Sequence, residues 1–512
     1  MPTSPESSKQ ILPRLSVPPT VIAMIISAIA IFLLCSSLRH EMFQSTAYDL
    51  GIYDQVTYLI SQAEAPISSI LGFHHLGNHG AWAVYPLGLL YKIYPSVYWL
   101  LIVQAISLAI GGGFVWALAR LVGLNERLSV AIAAVYLLYP VVFNLNLFDF
   151  HPEVMALPAL LGAILAAKRQ QTAWFCLAII WILGCKAVLS LTVIALGFWL
   201  LLFKKRCDPG EVSSPRERAP RERRNYGLIA LVLGMGWFIV VTQWMIPQFS
   251  GKEVEGVWRY SYLGTSVTEI LINFILKPHL VLGRLISAST IDYLFKLTLP
   301  VILWLSPSQL ICLIPAIPTL IVNSLSDIPF QRSLAYQYSL PIIPFLILAV
   351  INSLKSGEGM LGNFLMQFKD KITSFSFSQA KLIILWSLLI FLIYGKYSQF
   401  GMYIQRIDTW KATREAIAQI QPETTVLTDN RIAPHLTHRP MIKLLSQVSL
   451  ETDFSEFEQI VLNLRHPWPD TAEIGVKIVE KLKNDSKFSI IYQQDDVIIL
   501  NRNLLLSPDI KS

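Results

Sequence analysis

The sequence predicts a mostly α-helical, polytopic membrane bundle of about eleven spans that carries a small C-terminal α/β domain. Three observations carry that prediction. Apolar stretches recur along most of the chain, each close to the length needed to cross a hydrocarbon core of ~30 Å. Lys and Arg gather in alternate loops. Beyond Tyr397 hydropathy falls and stays low.

The apolar stretches begin near Val21, Ser96, Leu128, Val154, Thr172, Ala187, Tyr226, Tyr293, Ser308, Tyr336 and Leu382. The first, residues 21–38, is longer than a signal-peptide core and has no small-x-small exit before Arg39, so it reads as a retained signal anchor. Basic clusters at Lys9 and Arg14, Arg120 and Arg127, Lys168 and Arg169, and across residues 204–224 and 355–381 mark the cytoplasmic loops. The expected plan is a cytoplasmic tail (1–20), an N-terminal membrane half (21–203), a basic linker (204–225), a C-terminal membrane half (226–399) and an extracytoplasmic domain (400–512). The cell (inner or plasma) membrane is the expected location.

Between the first two spans, Ile52, Tyr53, Val56, Leu59 and Ile60 recur at helical spacing, which predicts an amphipathic helix in the interface. Residues 72–80 are a turn-rich link, and residues 81–94 are apolar but too short to cross. The linker holds eight basic residues, four acidic ones and three prolines, as a solvated topology signal would. Trp258, Tyr260 and Tyr262 suit a membrane interface. In the tail, residues 424–428, 441–445 and 459–464 are strand-like, residues 472–482 helical, and residues 488–502 form two β-rich arms about a polar turn.

Composition excludes several classes. With 54% hydrophobic and 15% charged residues, the chain is no soluble multidomain protein. The net charge of +7 is spread over cytoplasmic loops rather than set on one soluble face, which argues against nucleic-acid binding. Cys35, Cys176, Cys185, Cys207 and Cys312 form no CxxC pair, so neither a disulfide framework nor a zinc site is indicated. The absence of a P-loop argues against an ATP-driven pump.

The residues suited to chemistry fall in the outer loops. Asp49 and Asp54 follow the first span; either carboxylate could act as a general base or help hold a divalent cation, and Asp49 equally suits an N-cap. His75 and His79 are spaced as a helical metal pair, although the glycines around them argue against a helix; the metal question stays open. Asp149, His151 and Glu153 crowd one short hairpin, where charged groups are either functional or mutually paired. Lys186 ends the fifth span and can meet a phosphate or snorkel, and Arg332 is a second outer cation with a forked guanidinium.

At these residues the chain resembles a known family. YDLGIYDQ, NLFDFHPE, the lysine after the fifth span, NSLSD...QRSLAYQYSLPIIPF and APHLTHRP, in order over residues 47–466, look like the polytopic family numbered 2079 among the domains of unknown function (DUF2079). That family is grouped with the C-type (GT-C) glycosyltransferases, membrane enzymes that use polyprenyl-phosphate sugars and keep a catalytic acid in the first outer loop. The resemblance implies that Asp49 or Asp54 is that acid. It also implies departures: Ala187 and Val188 stand where relatives carry an acidic pair, and Gln337 where a histidine is usual. The expectation is an integral membrane enzyme that transfers a sugar from a polyprenyl-phosphate donor on the extracytoplasmic side. Membrane lipids are its other partners, and no cofactor is certain beyond that candidate cation. A membrane protein that binds or moves a lipid or polar solute without chemistry is the alternative.

Overall fold

The computed structural model describes residues 16–202, 218–252, 254–359 and 378–503. The tail through residue 15, most of the expected linker (204–217) and residues 360–377 of the basic cluster before the last span lie outside the described residues.

Among the described residues, six helical segments are long and apolar enough to cross a membrane: Pro19–Glu41, Tyr98–Val122, Arg224–Ser250, Pro307–Leu325, Pro329–Ser356 and Gln379–Ile404. A seventh arises if Glu126–Leu137 and Pro140–Asn146, bent by 43° at their junction, form one crossing. Pro140 accounts for the bend, because proline cannot donate into the preceding turn and biases Tyr139 to the extended backbone it adopts. The stretches expected from Val154, Thr172, Ala187 and Tyr293 give shorter helices: Glu153–Lys168, Thr172–Cys185, Leu189–Leu202 and Ala288–Thr298. At 1.5 Å per residue, a 14-residue helix such as Thr172–Cys185 reaches only about 21 Å. Hydropathy marks apolar surface, whereas the break at Lys186 fixes where the helix stops.

The first helix lies on Tyr98–Val122, which also packs against Glu126–Leu137 and Glu153–Lys168. Its outer face exposes Ile22, Ile26, Ile31 and Leu34, as a lipid-facing helix does, whereas Ile343–Ser356 is buried nearly throughout. Leu189–Leu202 runs tightly along Arg218–Val240: a Cβ on Gly197 would stand 2.8 Å from the carbonyl oxygen of Gly227, so glycine sets this spacing.

The loop after the first membrane helix forms a wide π-helical turn (Ala47–Gly51), a helix (Ile52–Ser61) and a pair of two-residue strands, β1 (Ile67–Ser68) against β2 (Phe73–His74). Residues 82–93 form two short helical pieces, Trp82–Leu87 and Gly88–Ile93. The Ile52–Ser61 helix departs from the expected interfacial one because its polar face is buried as well. Gln55 donates to Ser69 Oγ (2.8 Å) and to the Arg439 carbonyl (3.0 Å), so the C-terminal residues cover the side expected to face water.

Those residues form a five-stranded sheet of β3 (Val426–Thr428), β4 (Ile442–Leu444), β5 (Gln459–Asn463), β6 (Phe488–Gln494) and β7 (Val497–Arg502), in the order β4-β3-β5-β7-β6. β3 is parallel to β4 and β5, and β7 is antiparallel to β5 and β6. Strand alternation gives two buried faces. Leu427, Ile460, Leu462 and Leu500 pack under the Ala472–Lys483 helix with Ile478 and Leu482. Val426, Val461, Val497 and Ile499 join the Trp410–Ala418 helix and, through it, the membrane core. Asp495 and Asp496 both take positive φ (48° and 61°) in the two-residue turn between β6 and β7, as a primed hairpin turn demands.

Candidate functional site

Asp49 and Asp54 sit five residues apart, about 140° around an ideal helix, and the fold sends them to different places. Asp54 is buried under the C-terminal sheet. Its carboxylate accepts from Tyr91 Oη (2.6 Å), from His438 Nε2 (3.1 Å) and from the Thr437 hydroxyl. His438 in turn stacks on Tyr58 at 4.7 Å. Bound by Tyr91 from the membrane half and by Thr437 and His438 from the C-terminal segment, Asp54 is a tie between them.

Asp49 faces the hairpin. The π-helical turn that carries it, a device common at functional sites, turns its carboxylate to His151 Nε2 (2.9 Å) and the Thr46 hydroxyl (3.2 Å). It does not cap the Ile52–Ser61 helix, whose N-terminal end shows no side-chain cap. Both nitrogens of His151 meet acceptors, Asp49 at Nε2 and the Asp149 carbonyl at Nδ1 (3.3 Å), an arrangement that suits the imidazolium. Burial opposes that charge, but Asp49 and then Glu153 override it and raise the His151 pKa. Burial likewise works against Asp49, and the charge and hydrogen bond of His151, with help from Thr46 and Arg39, hold its carboxyl below the ordinary range.

Asp149 lies one step behind. It pairs with Arg39 and accepts from the Thr46 amide (3.0 Å) and hydroxyl (2.9 Å), which joins the end of the first membrane helix to the hairpin. Its φ of 116° is one that L-residues rarely adopt and costs on the order of 1–3 kcal/mol, held in place by these contacts. Burial raises its pKa against the pull of Arg39. Glu153 completes the hairpin by accepting from Lys186 Nζ at 2.5 Å. Lys186 is therefore paired and largely enclosed rather than snorkelling. Asp49 is the open member: its side chain is 26% exposed, against 1% for Asp149 and 4% for Glu153.

His79 borders the same group, since its carbonyl accepts from the Ala187 amide (2.9 Å). Its pKa is driven well below 6.5 by burial and then by the charges of Lys186 and Arg259. His75 is turned inward; Nε2 meets the Ala81 carbonyl at 3.1 Å and burial lowers its pKa to about 4. The two rings are thus not presented as a metal pair, and among the described residues no group of three or more His, Cys, Asp or Glu side chains could hold a metal ion. Arg332 is spent on backbone, donating to the carbonyls of Asn323, Ser324 and Ser326 (3.3, 3.4 and 2.5 Å) at the end of the Ile317–Leu325 helix. Gln337 is buried with its Oε1 unpartnered. Ala187 packs with Val241 and Ile246.

Sequence reasoning missed three contributors. Arg39, read only as the boundary of the first span, anchors Asp149. Tyr336 meets Phe148 edge-on (4.5 Å), and Phe148 stacks on His151 at 5.1 Å. Arg259 lies 5.5 Å from the rings of both Trp258 and Tyr338, with Nε buried and unpartnered. Its place among the aromatics Trp258, Tyr260 and Tyr262 was the one signal available.

The fold has counterparts of known structure. ArnT from Cupriavidus metallidurans bound to undecaprenyl phosphate is similar at a TM-score of 0.53 and 11% identity, over 94% of this chain and 97% of that one. Its apo state gives a TM-score of 0.49 at 11% identity, over the same shares, 94% and 97%. An Archaeoglobus fulgidus oligosaccharyltransferase tethered to an acceptor peptide gives a TM-score of 0.37 at 12% identity, over 90% of this chain and 68% of that one. At such identities the likeness to ArnT is one of fold, and the fold is GT-C-like. No curated protein matches the sequence. A family model described as predicted membrane protein (DUF2079) matches residues 39–499, most of the chain. The chain is therefore a multi-pass membrane protein of the DUF2079 family.

Proposed function

We propose that the chain is a GT-C-type glycosyltransferase that moves a sugar from a polyprenyl-phosphate donor to an acceptor hydroxyl on the extracytoplasmic side. The observation that carries this is Asp49: a partly exposed carboxylate in the first outer loop, fixed by His151 and Thr46. The ArnT structure of similar fold holds undecaprenyl phosphate, which supports a lipid-phosphate donor here.

In this reading Asp49 orients the acceptor hydroxyl and takes its proton as the hydroxyl oxygen bonds to the anomeric carbon. The polyprenyl phosphate departs with the electrons of the broken C–O bond. A carboxylate held below its usual pKa is a weak base, so the proton moves late, once the attacking oxygen has grown acidic. Lys186, which has donors to spare beyond its contact with Glu153, and Arg259, with its unpartnered Nε, stabilise the departing phosphate. The full threading of about eleven spans, with the N-terminus cytoplasmic and the C-terminal sheet outside, belongs to the same proposal.

The test is transfer from a polyprenyl-phosphate sugar by the full chain in lipid nanodiscs. Asp49→Asn should lower turnover on the order of 10²-fold while donor binding persists. The burial of Ala187, at a position where the family resemblance implies an acid, favours a second reading, a binder of lipid-linked sugar without turnover. Wild-type protein that binds the donor yet transfers to no acceptor pool would establish that reading instead.

A further inference from the structure

A second cleft opens between the end of the first membrane helix and the C-terminal sheet. It is lined by Gln44, Arg406, Thr409, Asp429, Arg431 and His466 among others. Two guanidinium groups face it, and neither pairs with a carboxylate among the described residues. Arg406 gives one hydrogen bond to Gln44 Oε1 (2.8 Å). Arg431 lies over the Trp468 ring (5.2 Å) and gives a long bond to the His466 carbonyl (3.4 Å).

The carboxylates beside them direct their hydrogen bonds to other partners. Asp429 turns its carboxylate to the backbone N–H groups of Arg431 (2.7 Å) and Ile432 (2.9 Å). Asp408 is held by His466 (2.7 Å) and Arg465 (3.3 Å). Burial first, and then repulsion from Arg406, lowers the Arg431 pKa to about 10 against the attraction of Asp429. Like charges left together in a half-closed cleft, each with several N–H donors free, form an anion site.

Depth identifies the anion. Gln44 comes three residues after the Pro19–Glu41 helix, and Arg406 two residues after the last membrane-length helix, Gln379–Ile404. The cleft therefore lies where two apolar helices leave the hydrocarbon, at the level of lipid headgroups. We infer that this cleft binds the headgroup phosphate of an anionic membrane lipid between Arg406 and Arg431. The inference does not depend on sugar transfer.

The experiment is equilibrium binding of a fluorescent short-chain phosphatidic acid to the full chain in detergent, with inorganic phosphate as competitor and melting followed in parallel. Arg406→Gln and Arg431→Gln should each weaken probe binding about tenfold or more, since each removes a forked, charge-assisted contact. Arg465→Gln, an exposed residue paired with Asp408 and Asp496, should bind as wild type does. Should Arg431→Gln unfold, Arg406→Gln carries the same expectation, because its one bond to Gln44 is dispensable to the fold. Unchanged affinity in folded variants would overturn the site. Displacement by inorganic phosphate at concentrations equal to the probe's own would overturn the lipid assignment in favour of free phosphate.

Discussion

His151 Nε2 lies 2.9 Å from Asp49 Oδ1 although the two residues are 102 positions apart, and this contact closes the loop after the first membrane helix onto the hairpin beyond the third apolar stretch. It makes the most open acid of the cluster a charged one, with its second oxygen left to Thr46 and to whatever enters.

Separating Asp49 from Asp54 is the first expectation. Asp49→Asn should lower transfer about 10²-fold with little change in melting. Asp54→Asn should instead destabilise the protein by about 1–3 kcal/mol, because three donors, two of them buried, lose a charged acceptor. Thermal denaturation and turnover, measured on both variants, distinguish the roles.

The ion pair sets a pH window. Asp49, with its pKa held below 3.8, contributes stability that is present above that value and lost as pH falls through its lowered pKa. His151, with its pKa raised above 6.5, contributes stability that is full below 6.5 and lost as pH rises through its raised pKa. His75, lowered to about 4, favours its neutral form, so its contribution fades as pH falls from 6.5 towards 4. Melting temperature against pH should therefore decline on both sides, and His151→Gln should remove the alkaline decline attributable to this pair.

Lys186 and Glu153 are both largely enclosed, so breaking the pair from one side strands a charge. Lys186→Met should cost roughly 3–5 kcal/mol, and adding Glu153→Gln should restore much of it. A denaturant double-mutant cycle checks this. If the single change costs no more than a surface substitution, the pair is not enclosed as described.

Donor binding separates the cations. Arg259→Gln should weaken binding of a polyprenyl-phosphate sugar about tenfold, whereas Arg332→Gln should leave binding intact and lower melting, since its guanidinium serves three carbonyls.

Topology can be read by cysteine labelling. Ser61, Gln248 and Ser446 should label from outside, and Ser213 and Gly357 from inside. Reversal at any of the first four would break the threading.

Much of this was legible in local pattern. The hairpin around Asp495 and Asp496 followed from two β-rich arms about a polar turn, and the acid-rich hairpin of Asp149 to Glu153 stood out by composition. Helix lengths were less legible: hydropathy cannot distinguish a helix that spans from one that ends at Lys186 midway. Contacts between distant loops left no local trace. Nothing near Arg39 announces Asp149, 110 residues on, and nothing near Arg332 announces three carbonyls turned toward it. The choice between Asp49 and Asp54 depended on what the last hundred residues cover, which periodicity in the first loop cannot express.

The grip of Asn430 on the Ala47 amide, at 2.9 Å, joins residues 383 positions apart. A ribosome adding roughly 5–20 residues per second needs about 20–75 s to travel that distance. Throughout that interval the loop bearing Asp49 and Asp54 lacks the surface that will cover it. The nascent protein thus passes through a long stage in which its polar first loop is exposed, and the final strands act as the closing step of assembly.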